Sequence, residues 1–247
     1  MNVSRYCSAF VLCAIGWPAI GADVDAAEDN PWSGEVEFGY IASSGNTDST
    51  SGTARVLVAY VTGDWEHKAE AKVFGASEDD DTTAENYQIW GKSLKNLTDR
   101  SYAFGRLEWK KNRFSGYPEQ TFETIGYGRR ILDDERFTLN IEGGLGATQQ
   151  DKLIAEDPDV IEDENSGLLT LGGDFTWAIS ETSTFEQLLA INSSSDNTYW
   201  ESITRLKANV IGGVALAIGY TIQGNTDVDA GTEKTDRFTS ISLEYAF

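Results

Sequence analysis

The stretch DWEHKAEAKVF carries the one histidine of the chain, His67, and places Glu66, Lys68, Glu70 and Lys72 at every second position. Histidine is the usual general base near neutral pH. In an extended chain, however, successive side chains point to opposite faces. His67 shares its parity with Trp65, Ala69, Ala71 and Val73 and not with the charges. That parity makes it an interfacial ring and not a base, and no Ser–His–Asp set can be drawn around it. Both cysteines, Cys7 and Cys13, lie in the N-terminal leader. Thiolate nucleophiles and zinc–thiolate sites therefore leave with that leader. No phosphate-cradling loop is present, and paired carboxylates carry no signal in a chain with 40 Asp and Glu. The expectation is a non-enzyme with no cofactor, no metal centre and no catalytic residue.

The chemistry left is electrostatic. Arg106, Glu108 and Lys110 repeat the alternation of Glu66, Lys68, Glu70 and Lys72, and Glu142, Asp174, Glu201, Arg205 and Lys207 extend the same polar face into three other segments. Both signs share this face, so two readings stand. One is an interior filled by ion pairs and water, the other a narrow polar pore. A second acidic set falls in turn-like segments: Asp79, Asp80, Asp81, Glu162, Asp163, Glu164, Asp227 and Asp229. These are either solvated loops or a mouth that gathers divalent or other cations. The net charge of −21 excludes nucleic-acid binding by phosphate neutralisation.

The elements that must carry these faces are strands. FTLNIEGGLGA, LLTLGGDFTW and VIGGVALAIGYTI all alternate at period two, glycine is abundant at 24 residues, and helical periodicity is missing. Turn signals separate about twelve strands. TGD, NLTD, LDDE, ISET and NVIGG are short, whereas SEDDDTT (77–83), QQDKLIAEDPDVIEDEN (149–165) and GNTDVDAGTEKTD (224–236) are long and fall in the alternate positions. Sorting of loops by side is the pattern of an outer-membrane barrel. The expected fold is all-β, a single closed antiparallel up-and-down transmembrane barrel over residues 32–247. It follows a cleaved signal peptide at 1–21, with a cation at Arg5 before an apolar run, and a short periplasmic segment at 22–31. The strands near 84–95 and 119–131 leave their facing open.

The last strand, ISLEYAF, puts Ile241, Leu243, Tyr245 and Phe247 on one face. Lipid is its expected partner on that face, and the first strand, GEVEFGYIA, along its edge. Aromatics near the strand ends read as two girdles. Trp32, Tyr60, Trp65, Tyr102, Trp177 and Phe247 lie on the short-turn side, and Tyr40, Phe74, Tyr87, Phe114, Tyr117, Tyr199 and Trp200 on the other.

WSGEVEFGYIASSGNTDSTSGTARVLVAY, YAFGRLEWKKNRFSGY, GYGRRIL, SDNTYWES and TDRFTSISLEYAF together resemble a family of Gram-negative outer-membrane proteins described as salt-induced. The resemblance spans essentially the mature chain. It implies location in the outer membrane, with the C-terminal aromatic strand as assembly signal. It brings no reaction, ligand or catalytic residues. The expected partners are outer-membrane lipid and lipopolysaccharide, the barrel-assembly machinery, and divalent cations at the acidic loops. A structural, salt- or envelope-stress-associated barrel is the leading functional expectation. A narrow cation-preferring pore is the alternative, and a lipid-modifying enzyme the third class.

Overall fold

The computed structural model describes residues 30–43, 49–79, 81–154, 157–228 and 233–247. The leader and the segment after it, the SGNTD of the first long loop, Asp80, Glu156 and Asp229 lie outside the described residues. Twelve strands follow in order: β1 Trp32–Ser43, β2 Ser49–Thr62, β3 Trp65–Glu78, β4 Asp81–Thr98, β5 Ser101–Asn112, β6 Glu119–Asp133, β7 Phe137–Ile154, β8 Asp157–Ser180, β9 Ser183–Ser193, β10 Thr198–Ile211, β11 Val214–Asn225 and β12 Thr235–Ala246. Each pairs antiparallel with its chain neighbour, and β12 closes on β1.

Burial is inverted relative to a water-soluble fold. Ile125, Leu145 and Phe38 stand 73%, 65% and 64% exposed, while Glu35, Glu108, Lys110 and Glu244 are buried. A continuous apolar exterior of this kind requires lipid. Closure supplies the backbone partners that hydrocarbon cannot. Gly63 and Gly212 each take a positive φ, as the first central residue of a tight primed turn requires.

The facing left open by the sequence is resolved. Gln88, Trp90, Lys92 and Leu94 of β4 point inward, as do Gln120, Phe122, Thr124 and Arg130 of β6. Ile89, Ile125 and Tyr127 point outward. Tyr102 lies flat on β6, where a Cβ at Gly128 would come within 2.3 Å of its ring.

Three expectations are corrected. In the 77–83 segment β3 runs to Glu78 and β4 starts at Asp81, the two residues paired, so Asp81 is a strand residue. The 149–165 segment is no loop for most of its length. β7 and β8 continue through it in register, with Gln149 opposite Asn165 and Asp151 opposite Asp163, which puts Glu162, Asp163 and Glu164 on a strand. Backbone pairing outside the membrane needs no apolar alternation, so the sequence pattern is silent there. Finally, Phe74, Tyr102, Tyr117 and Tyr199 are not girdle residues. Phe74 meets Phe238 inside the lumen at 4.8 Å, and the other three rings are buried inside. Trp65 and Tyr60 do form an outer belt, with His67 stacked on both and its Nδ1 2.8 Å from Ser93 Oγ.

The last strand presents Ile241, Leu243, Tyr245 and Phe247 outward. Phe247 and Gly34 exchange two backbone hydrogen bonds of 3.0 Å, and a Cβ at Gly34 would strike the Phe247 ring.

Candidate functional site: the charged lumen

The interior is built from the inward parity of nearly every strand. On one side, Arg55 of β2 donates to Glu35 at 2.5 Å, Glu37 at 3.0 Å, Glu70 at 3.1 Å and Glu244 at 3.1 Å. Arg205 of β10 donates to Glu37, Glu186 and Glu244, and Lys207 to Glu186 and Glu244. Ser242 donates to the second oxygen of Glu37. A second group crosses the barrel. Lys110 of β5 reaches Tyr199 and Glu201 of β10, and Glu108 takes Arg106, Lys110 and the amide of Gln88. A third joins Lys92 of β4 to Glu142 of β7, which also accepts from Tyr102. Glu66 pairs with Lys68, and Asp174 accepts from Asn140 at 2.7 Å.

The structure thus places Glu66, Lys68, Glu70, Arg106, Glu108, Lys110, Glu142, Asp174, Glu201, Arg205 and Lys207 inside the barrel in contact with lumen partners. Lys72 also faces inward, lining a void with Gln88, Glu201 and Thr221. Sequence reasoning missed Glu35, Glu37, Arg55, Lys92, Glu186 and Glu244. For the two β1 carboxylates a signal existed, since Glu35 and Glu37 alternate with Val36 and Phe38. For Arg55 there was little, because Leu57 and Ala59 share its parity and blur the face.

The long-loop end is capped from within. Residues 113–118 fold into the opening and bury Ser115 and Tyr117, the latter to 1% exposure. The Asn225 amide donates to Ser115 Oγ, and its oxygen accepts from Asn197 at 2.6 Å and from Gln120. Asn197 Oδ1 in turn accepts the backbone N–H groups of Thr226 and Asp227. RFSGY, SDN and GNTD, separate in sequence, meet here. The acidic rim is partly neutralised: Lys152 pairs with Asp227 at 2.6 Å and lies 3.9 Å from Glu164. Burial holds the Tyr117 phenol protonated, its pKa pushed up further by Glu164 beside it. Asp79 stands at the β3–β4 turn and Asp163 on the outer strand extension. Among the described residues no cluster of His, Cys, Asp and Glu has the arrangement of a metal site.

Ion pairs and rings occupy the lumen at several levels. A void of about 30 Å³ is lined by Lys72, Phe74, Gln88, Phe238 and their neighbours. Such a space holds on the order of two waters.

Comparison with known proteins agrees with the barrel fold. The protein is 30% identical over 229 residues to the uncharacterized protein YdiY of Escherichia coli K12, covering 91% of this chain and 86% of that one. Among solved structures it superposes on the NanC porin with a TM-score of 0.50 at 12% identity, covering 86% of this chain and 97% of that one. The translocator domain of the autotransporter NalP from Neisseria meningitidis gives 0.52 at 11% identity, with 90% of each chain covered. At such identities these likenesses show the fold alone, that of outer-membrane barrels. Residues 36–247 match the family described as proteins of unknown function, DUF481, and the chain belongs to that family.

Proposed function

We propose that this protein is a sealed structural barrel of the outer envelope, exported by its N-terminal leader and inserted among lipid and lipopolysaccharide by the barrel-assembly machinery. One observation carries the reading. Ion pairs connect walls that do not adjoin, β5 to β10 and β4 to β7, and so bridge the lumen. Buried pairs are screened by salt far less than exposed ones. A plug of this kind keeps its cohesion when external salt rises, which fits a role in salt or envelope stress. No reaction enters this reading.

Single-channel recording of the refolded protein in a planar bilayer tests it. The expected result is no stable conductance at 1 M KCl for the wild type, and leakage once Lys110→Ala and Glu201→Ala remove the transverse bridge. A steady wild-type conductance refutes the sealed barrel.

The acidic rim supports a second reading, a narrow cation-preferring pore. Asp79, Asp81, Asp163 and Asp227 gather at the long-loop end, where divalent cations and lipopolysaccharide phosphates would meet them. Reversal potentials in a salt gradient decide between cation and anion preference, and replacing Asp79, Asp80 and Asp81 by Asn should weaken the former.

A further inference from the structure

The wall of the barrel is not uniform. β1 pairs with β2 along its whole length, from Trp32 opposite Tyr60 to Ser43 opposite Ser49. β12 pairs with β11 from Val214 opposite Tyr245 to Gly224 opposite Thr235. The ladder between β1 and β12 covers only Glu35–Gly39 against Ser242–Ala246 and ends there. Beyond it, toward the long-loop end, the edges of Tyr40–Ser43 and Thr235–Ile241 face each other without ladder pairing. A slot occupies this stretch, and residues of both parities line it. Tyr40 and Ile241 belong to the lipid face, whereas Ile41, Thr53, Phe74 and Ser240 belong to the lumen. Side chains of both faces of the wall therefore border it.

The lumen void lies directly behind it. Thr53, Phe74 and Ser240 line both spaces. Phe74 and Phe238 stand between them, edge to face at 4.8 Å. The void also holds Lys72. Among the described residues, Lys72 makes no ion pair and no hydrogen bond, while Arg55, Lys92, Lys110, Arg205 and Lys207 each hold a carboxylate. The void's own carboxylate, Glu201, is held by Lys110 and also attracts Lys72 through space, as do Glu70 and Glu37. An ammonium in low dielectric attracts an anion strongly, and the amides and hydroxyls around it can donate hydrogen bonds.

We propose that the upper β1–β12 seam is a lateral portal and binding site for a long-chain carboxylate drawn from the membrane. The carboxylate takes Lys72. The alkyl chain parts the Phe74–Phe238 contact and runs out along the slot into the outer-leaflet hydrocarbon. Tail and head thus meet surfaces of matching polarity, and the unpaired strand edges are covered. The site does not depend on whether ions cross the barrel.

The test uses the refolded mature chain in non-ionic micelles, titrated calorimetrically with oleate and, for comparison, with uncharged oleyl alcohol. Oleate is expected to saturate one site and oleyl alcohol to show only micelle partitioning. Lys72→Met should weaken oleate at least tenfold, and Lys72→Arg should retain it within about threefold. The migration of unboiled samples on a gel reports folding of each variant. Because Cys7 and Cys13 both lie in the leader, Tyr40→Cys with Ile241→Cys adds the only thiols. Oxidation across the slot should slow oleate uptake, and reduction should restore it. If Lys72→Met fails to fold, Lys72→Arg and the thiol pair decide. Absence of a saturable oleate site, equal binding of the alcohol, or a folded Lys72→Met that binds as the wild type does would overturn the proposal. A conducting barrel that binds oleate would refute only the sealed-barrel reading. A silent barrel that binds no oleate would refute only this one.

Discussion

Arg55→Ala is the most informative single perturbation of the lumen. Arg55 meets four carboxylates between 2.5 and 3.1 Å, and its side chain is only 10% exposed. The four do not depend on it equally. Glu244 keeps Arg205 and Lys207, and Glu37 keeps Arg205 and Ser242. Glu35 is left with Lys207 at 3.8 Å, and Glu70 with the indole N–H of Trp90 at 3.1 Å. Two carboxylates thus carry the loss. Removing one partner of a buried pair costs about 3–5 kcal/mol. Water can enter the space left by the side chain, so the lower end applies, about 3 kcal/mol. That is roughly a hundredfold in the unfolding equilibrium. Reversible urea unfolding in lipid vesicles, followed by tryptophan fluorescence, measures it. Adding Glu35→Gln and Glu70→Gln to Arg55→Met should recover most of the stability, since whole ion sets can be replaced at little cost. A loss below about 1 kcal/mol for Arg55→Ala would mean that lumen water already hydrates these carboxylates, and the filled-lumen reasoning would fail.

Unboiled protein should migrate differently from boiled protein in dodecyl sulfate, because a closed barrel resists the detergent until heated; identical migration would refute closure. Deleting Phe247 removes both Gly34 hydrogen bonds from an already short seam, so the exported chain should reach the membrane but fold poorly, as the fraction of heat-modifiable protein will report. Asp151, on the strand extension beyond the membrane, has its pKa raised by desolvation and then by Asp163 and Glu119. The folded hairpin therefore binds the proton more tightly than the unfolded chain, and its stability is present below the ordinary aspartate pKa and lost as pH rises through the raised value. Protease cleavage near residues 149–165 should be slower at pH 4 than at pH 7, and Asp163→Asn should reduce the difference.

The barrel was legible because its two faces obey different solvents. In β3 the lumen charges alternate with Trp65, His67, Ala69, Ala71 and Val73, so Glu66, Lys68, Glu70 and Lys72 declare their face without a structure. β2 hides Arg55 because Leu57 and Ala59 also point inward, and a face that is partly apolar on both sides has no period to read. The girdle assignments failed for a related reason. Position along a strand placed Tyr102 and Tyr199 near the ends, but parity turns both inward, where they donate to Glu142 and Gln223. The cap could not be read at all. Ser115, Asn197 and Asn225 come from three loops, and only closure of the barrel brings them together.

The ion network and the shortest seam are two parts of one design. Glu35 and Glu37 lie on β1 and Glu244 on β12, and these are the strands joined by only five ladder rows. Arg55 from β2 and Arg205 and Lys207 from β10 bind those carboxylates from the flanking walls. Each cation therefore ties the two strands that the backbone joins least, and Ser242 adds a hydrogen bond of 2.6 Å across the seam to Glu37. Side-chain electrostatics supply on the inner face what the short ladder lacks. Above Gly39 and Ser242 neither kind of tie joins β1 to β12 among the described residues, and there Phe74 packs against Phe238. The seam is locked in its lower half and left openable in its upper half, so weakening the lock should have a local signature. In Arg55→Ala the amides of Val36 and Phe38 should exchange with solvent deuterium ahead of those in β7 and β8. Uniform acceleration across all strands would show that the network stabilises the barrel as a whole and not its seam.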